Sequence, residues 1–274
     1  MSHPKPLFIM GSKRSGSSFL VNVLNLHPWV FVSHESDVVW ILYQIYKDDP
    51  DRFRTYPFDE GKGMWATLNE CSEILRSIPS DTSDKKTVFK MFYRLQMYIN
   101  EHGRGNWDRH ILRKKNLAWI GDKKPVQHSD PEIQSFLNVL FPEARNIHLI
   151  RDPRSVVASM IEAGKTWNDQ SIPEYWKQTP SQILERWAIH EEWVLRAKSR
   201  LLNKIRTIRL EDLAEDPVRI MSETFSFLDL DLPSDVEKTI ADWVWRNPNW
   251  RHRAFDLPVS PRACRVMQNY RYAD

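Results

Sequence analysis

The chain has 274 residues, of which 41% are hydrophobic and 27% charged; that suits one large domain with a sizeable buried core and excludes disorder, collagen and coiled coil as classes. Lys and Arg total 39 against 36 Asp and Glu, a net charge of +3, too mild an excess for a nucleic-acid coat protein but compatible with a local anion site. Two cysteines, Cys71 and Cys264, exclude a disulfide framework and a Cys-only zinc site.

The first apolar run, Leu7 to Met10, is far too short for a signal-peptide core or a membrane span, and no window reaches 18 apolar residues. The expectation is a soluble, cytoplasmic protein with reduced cysteines. Pro6 to Met10 reads as a short buried strand, Gly11 to Gly16 as a loop, and Ser17 to Leu26 as a helix stopped by His27-Pro28. Trp29 to Ser33 is a second strand and Val38 to Tyr46 a helix. From about 47 to 118 the chain reads as an irregular helical insertion, a candidate cap, containing an aromatic helix over Val88 to Ile99. Trp119-Ile120 leads into a turn, Gly121-Asp-Lys-Lys-Pro125.

A clearer strand–helix alternation follows. Pro131 to Phe141 is an amphipathic helix, Asn146 to Ile150 a strand and Pro153 to Ala163 a helix. Ser181 to Leu202 is a long helix with Ile183, Trp187, His190, Val194, Ala197 and Leu201 facing inward. Lys204 to Leu210 is a strand and Pro217 to Leu228 a helix. Short strands alternating with helices predict an α/β fold around a mainly parallel sheet, here as a single domain over residues 1–274. Ligands in such sheets sit beyond the carboxyl ends of strands, which directs attention to the residues after Met10 and after Ile150.

Gly11-Ser-Lys-Arg-Ser-Gly16-Ser17-Ser18 follows a strand and opens a helix. Its spacing is that of a phosphate-binding P-loop, with Ser17 where nucleotide triphosphatases carry Lys. Successive backbone N–H groups and the helix N-terminus favour an anion there. Lys13 and Arg14 add cations, and Ser15, Ser17 and Ser18 add hydroxyls. A tight strand–helix turn with a Ser cap accounts for the spacing almost as well. Against it, these are the only glycines in the first 60 residues, and two cations accompany them. After Ile150, Arg151-Asp-Pro-Arg-Ser155-Val-Val-Ala-Ser159 places Pro153 in a first helical turn and Arg151 at the strand end. Arg151 and Ser159 are candidates for a second phosphate.

The loop K-R-S-G-S-S taken with I-R-D-P-R-S-V-V-A-S resembles the sulfotransferase family, most closely its bacterial, carbohydrate and tyrosylprotein branch. Gly121-Asp-Lys-Lys-Pro125, Phe141-Pro-Glu-Ala-Arg145 and Ile208-Arg-Leu-Glu-Asp-Leu213 resemble further family segments in the same order, so the likeness runs from about Leu7 to Leu230. It implies a P-loop-like parallel sheet flanked by helices. It also implies 3′-phosphoadenosine-5′-phosphosulfate (PAPS) as donor, adenosine 3′,5′-bisphosphate (PAP) as product, and no metal. On that resemblance Lys13, Arg14, Ser15, Gly16, Ser17 and Ser18 hold the 5′ end of the donor, and Arg151 and Ser159 hold the 3′-phosphate. Glu35 aligns with the tyrosylprotein-type catalytic carboxylate. His34 is the alternative base, as in cytosolic members, and Lys123 aligns with a Lys that contacts the sulfate or leaving phosphate. Arg14 would neutralise charge on the leaving group.

Two departures stand out. Position 163 is Ala where an additional Arg is frequent, and the Gly-rich C-terminal segment of the cytosolic branch is absent. Arg251, Arg253 and Arg262 are candidates to complete the 3′ grip. Trp243, Trp245 and Trp250 match no family segment. Trp40, Tyr43, Tyr46, Trp65, Phe92 and Tyr93 read mainly as core. The expected acceptor is a hydroxyl or amine of a small metabolite or natural product, with no nucleic-acid or membrane partner and with oligomeric state left open. The competing functions are a P-loop-type small-molecule kinase, which Ser17 in place of Lys argues against, and a non-catalytic nucleotide-binding protein.

Overall fold

A computed structural model describes residues 3–49, 67–77, 84–103, 113–165, 177–201, 204–244 and 258–272. Five strands are β1 (Lys5–Gly11), β2 (Val30–His34), β3 (Trp119–Lys123), β4 (Arg145–Ile150) and β5 (Ile205–Arg209). They form one sheet of order β2-β3-β1-β4-β5, flanked by helices. β3 runs parallel to both β1 and β2, with Ile9 and His34 each in register with Lys123.

The chain divides into two compact units: residues 1–10 with 18–147, and residues 11–17 with 148–274. The first holds α1 (Ser17–Leu24, whose first residue belongs to the second unit), α2 (Val38–Tyr46), α3 (Ser72–Arg76), α4 (Lys85–His102), α5 (Pro125–Ser129) and α6 (Pro131–Leu140). α2 is apolar almost all round, and every residue from Val38 to Ile45 is buried, as befits a helix enclosed by others. α4 starts where the Asp84 side chain accepts from Thr87 N–H and stops at Gly103. Its Val88, Met91, Phe92, Leu95 and Ile99 share one core with Phe8, Ile120 and α2, so this helix belongs to the body of the unit. Each such side chain contributes about 1.5–3 kcal/mol of burial. Trp40, Tyr43, Phe92 and Tyr93 are buried there, and Tyr46 packs against that core.

One sequence expectation is corrected in this unit. Gly121, Asp122 and Lys123 do not form a turn; they are the second half of β3, buried on both faces. A Cβ on Gly121 would lie 1.7 Å from the Leu7 carbonyl oxygen, so glycine here serves strand-to-strand approach. The turn-like composition Gly-Asp-Lys-Lys-Pro conceals a central strand, because its polar side chains find buried partners. The short helix α5 starts at the Pro125 that marks the end of that strand.

The second unit holds α7 (Pro153–Lys165), α8 (Pro180–Arg200), α9 (Leu210–Glu215), α10 (Pro217–Phe227), α11 (Ser234–Val244) and α12 (Pro261–Asn269). A capping box between Thr179 and Gln182, with Pro180 in the first turn, opens α8. Its predicted inward residues Ile183, Trp187, His190, Val194 and Ala197 are buried; Leu201, just past the helix, is half-buried. Ile183, Leu184, Trp187 and Ala188 share a core with Val156, Val157 and Met160 of α7 and with Ala263, Val266 and Met267 of α12. Trp65, Trp245, Trp250, Arg251 and Arg253 lie outside the described residues.

Candidate functional site

In the second unit, the loop after β1 brings two of the predicted anion segments together. Gly16 has φ of +92°, and a Cβ there would lie 2.9 Å from Leu210 Cδ1, so the turn into α1 needs glycine. Arg14 also adopts a left-handed conformation, φ 65°, and its exposed side chain crosses to the second segment. Its Nε donates to Ser159 Oγ at 3.1 Å, and Arg151 Nη1 donates to the Arg14 carbonyl at 3.2 Å. Arg14, Arg151 and Ser159, 145 residues apart at the extremes, thus converge. Burial holds the Arg151 guanidinium below its usual pKa, with the charge of Arg14 adding to the effect and that of Glu211 opposing it. The influence of one cation on the other is of the kind that a bound anion would relieve.

The surrounding residues fix that geometry. Glu211, after β5, accepts from Asp152 N–H at 2.9 Å and from Tyr272 O–H at 2.6 Å. Arg209 stacks over the Tyr272 ring at 4.6 Å, and Asp152 takes a forked contact from Arg154. Ser155 is buried and Ser159 half-buried on the same helix. Tyr272 went unnoticed in the sequence, which gives no signal for it; Glu211 carried one, an acidic residue at a strand's carboxyl end. Arg262 is not part of this cluster: its guanidinium pairs with Glu185 on α8.

The loop fits a phosphate-bearing ligand. Ser15 is fully buried, and its Oγ has no hydrogen-bond partner among the described residues. Ser17 is buried at the first turn of α1, where backbone N–H groups have no partner within the helix itself. Lys13 is half-buried and lines a small pocket beside α7 and α8.

In the first unit, β2 and β3 present a second polar cluster. Glu35 follows β2 with φ of 46°, a conformation uncommon outside glycine. Its N–H continues the ladder to the Lys123 carbonyl at 2.8 Å. Its carboxylate meets Lys123 Nζ at 2.6 Å, and the same ammonium donates to Ser18 Oγ at 3.0 Å. The Lys123 side chain is 1% exposed and that of Glu35 38%, so Lys123 is no solvated surface lysine. Glu35 does not cap α2; the N-cap is Asp37, without a side-chain cap bond. His34 turns away and its Nε2 meets Asn22 Oδ1 at 3.0 Å. The two neighbours have different surroundings, because His34 ends the strand and Glu35 adopts the left-handed conformation that follows it.

Behind Lys123 lies a buried polar layer. Asp122 accepts from Ser33 Oγ at 2.8 Å and from Ser36 N–H at 3.2 Å, with His128 Nε2 3.5 Å from its other oxygen. Burial alone would raise the Asp122 pKa, but His128 and these hydrogen bonds hold it well below the usual range. Lys124 pairs with Asp37 at 3.1 Å, and Gln127 donates to the same carboxylate at 2.9 Å. Lys114 Nζ donates to the carbonyls of Asn25, His27 and Val30 at 2.5–2.7 Å, tying the connection that leads into β2.

Comparison with known proteins gives one consistent result. The sequence profile described as the sulfotransferase family matches residues 6–234. Carbohydrate sulfotransferase 5 of Homo sapiens is 25% identical over 272 residues, covering 85% of this chain; the chain spans 64% of that relative's length. Carbohydrate sulfotransferase 6 of Homo sapiens is 24% identical over 309 residues, 97% of this chain and 74% of that protein. Two solved structures share the fold: the sulfotransferase domain of the Synechococcus PCC 7002 olefin synthase and that of the curacin biosynthetic pathway. The first has a TM-score of 0.62 at 17% identity, covering 99% of this chain and 96% of that one. The second has 0.63 at 18%, covering 99% of both. Among the described residues, no helix is long and apolar enough to cross a membrane, and no group of His, Cys, Asp and Glu is arranged to hold a metal ion.

Proposed function

The chain belongs to the sulfotransferase family, and we propose that it transfers a sulfuryl group from PAPS to a hydroxyl or amine of a small acceptor in the cytoplasm. The observation that carries this reading is the convergence of Arg14, Arg151 and Ser159 beside a loop whose buried Ser15 hydroxyl has no hydrogen-bond partner among the described residues. Arg151 and Ser159 bind the 3′-phosphate. Arg14 belongs to the loop, reaches Ser159 of the second segment and serves both. Ser15, Ser17, Ser18 and the loop N–H groups hold the 5′ end, with Lys13 at its margin.

When bound, the donor supplies an activated sulfuryl group on a phosphate oxygen. The S–O bond to that phosphate breaks as one forms to the acceptor oxygen or nitrogen. The products are a sulfate ester or sulfamate, PAP and one proton. Glu35 is the base that takes the proton, at a carboxylate oxygen already oriented by Lys123. Lys123, buried and shared between Glu35 and Ser18, supplies positive charge next to the residue that continues the loop. His34 is held by Asn22 and takes no proton.

A natural-product acceptor is the preferred class. A carbohydrate hydroxyl is a second reading, favoured by the two relatives named for carbohydrates. Calorimetric titration tests the donor assignment: PAP binds without Mg²⁺ and more tightly than ATP. A requirement for ATP with Mg²⁺ refutes it in favour of a kinase.

A further inference from the structure

The side chain that holds Glu211 lies outside the segment matched by the family profile, which ends at residue 234, whereas Tyr272 follows α12. The chain reaches position 272 through a defined helix end. Arg271 is left-handed, with φ of 60°. Tyr272 N–H donates to the Met267 carbonyl at 3.0 Å, and Arg271 N–H to the Gln268 carbonyl at 3.3 Å. These two bonds are the pattern of a Schellman cap, in which the left-handed residue is usually glycine. Here an Arg adopts that conformation, and the turn sets Tyr272 in a buried position, 5% exposed. Tyr272 then meets the surroundings of Arg151 in three ways. Its O–H donates to Glu211 at 2.6 Å, its carbonyl accepts from Arg154 Nη2 at 3.3 Å, and its ring lies 4.6 Å from the Arg209 guanidinium.

Glu211 is a carboxylate in a neighbourhood assigned to phosphate. Such an anion repels an incoming phosphate and competes for the arginine that should bind it. Its charge does act on Arg151, opposing the effect of burial there. Both of its oxygens are nevertheless engaged elsewhere, Oε1 by Asp152 N–H at 2.9 Å and Oε2 by Tyr272 O–H. Arg151 Nη1 donates to the Arg14 carbonyl. Burial, then the charge of Glu211, push the Tyr272 pKa up, so the hydroxyl keeps its proton and remains a donor.

We propose that Tyr272 is a positioning residue that restrains Glu211 from pairing with Arg151 and so preserves the preference of the donor site for a 3′-phosphate. Tyr272 acts through Glu211 and does not touch the donor. Without the hydroxyl, Glu211 Oε2 loses its partner. Arg151 and Arg209 are the arginines on which its charge acts, and Arg209 is already paired with Asp212 at 3.3 Å. Arg151 then becomes the replacement partner, and the 3′-phosphate must displace a carboxylate to bind. The inference rests on the assignment of Arg151 to the 3′-phosphate.

Calorimetry on the full chain tests it by comparing PAP with adenosine 5′-phosphate, which lacks the 3′-phosphate. Four forms are titrated: the unaltered chain, Tyr272→Phe, Glu211→Gln, and the two substitutions together. Tyr272→Phe is expected to weaken PAP by about tenfold and adenosine 5′-phosphate by less than about twofold. The double variant is expected to recover PAP affinity to within about twofold, because Gln brings no charge to Arg151 and still accepts from Asp152 N–H. Equal weakening of both ligands in Tyr272→Phe, unchanged PAP affinity, or a further loss in the double variant each overturns the proposal, since mere loosening of the fold predicts no 3′-selective loss and no rescue. If Tyr272→Phe does not fold, Glu211→Gln decides alone: PAP binding at least as tight as in the unaltered chain supports the restraint, and weaker binding overturns it. Arg151→Ala separates the two levels of the reading. Equal losses for both ligands in that variant remove the 3′ assignment and the proposal with it. A PAP-selective loss there, with none in Tyr272→Phe, leaves the assignment standing and removes Tyr272 alone.

Discussion

Replacing Glu35 by Gln separates the chemistry of the Glu35–Lys123 pair from its contribution to stability. Gln keeps the shape and can accept one hydrogen bond from Lys123, but it carries no charge and takes no proton. Losing one partner of a fully buried ion pair costs about 3–5 kcal/mol, whereas an exposed pair contributes about 0–1 kcal/mol. Here the ammonium is 1% exposed and the carboxylate 38%, and Ser18 remains as an acceptor at 3.0 Å. The expected loss of stability is therefore about 1–2 kcal/mol, read from urea unfolding. Turnover at saturating donor falls further, by about 10²–10⁴-fold, the usual worth of a general base. Adding Lys123→Met removes the stranded ammonium. The double variant regains stability without regaining turnover. If Glu35→Gln retains full activity, or if the double variant recovers it, the carboxylate is a structural counter-ion and not the base. If His34→Asn is the inactive variant instead, the base lies on the other side of the strand end.

Other consequences are open to direct measurement. Arg151→Ala should weaken PAP by about 2–3 kcal/mol, the scale of a charge-assisted contact, and weaken adenosine 5′-phosphate much less; equal losses in calorimetry would remove Arg151 from the 3′ site. Lys114→Met leaves three backbone carbonyls without their shared donor and should destabilise the fold by about 2–4 kcal/mol, with an unchanged denaturation midpoint as the contrary result. Acid unfolding should show His190: its folded pKa of about 3 lies below the ordinary histidine value of 6.5, so the unfolded chain binds the extra proton between those values. Its stabilising contribution is complete above the upper value and is lost as pH falls towards the lower. The slope is at most about 1.4 kcal/mol per pH unit, and His190→Gln should flatten it.

Much of the fold was legible because its signals are local. The spacing of Ile133, Phe136, Leu137 and Leu140 marked α6, and all four are buried. The continuous apolar run of β1 likewise matched a strand buried on both faces. β3 was missed because its buried side chains are charged: Asp122 and Lys123 are satisfied by Ser33, His128, Glu35 and Ser18, partners 80 or more residues distant except for His128. Hydropathy cannot register a polar group whose counterpart lies that far along the chain. The same limit applies to the site. Arg14, Arg151 and Ser159 were nameable as anion ligands, but not the bond from Arg14 to Ser159, which joins segments the sequence assigned to opposite ends of the donor. Tyr272 carries no chemical signature of its own. Its relevance comes from the group that tertiary packing sets beside it, Glu211.

The central claim is sulfuryl transfer, and transfer of label tests it most directly. The purified chain is incubated with sulfur-labelled PAPS and a panel of small hydroxyl- and amine-bearing acceptors, with and without EDTA, and the products are separated by chromatography. The account predicts label in an acceptor product, with PAP formed in equal amount, undiminished by EDTA and abolished in Glu35→Gln. Label that stays in PAPS across the panel, or group transfer seen only from γ-labelled ATP with Mg²⁺, would contradict it.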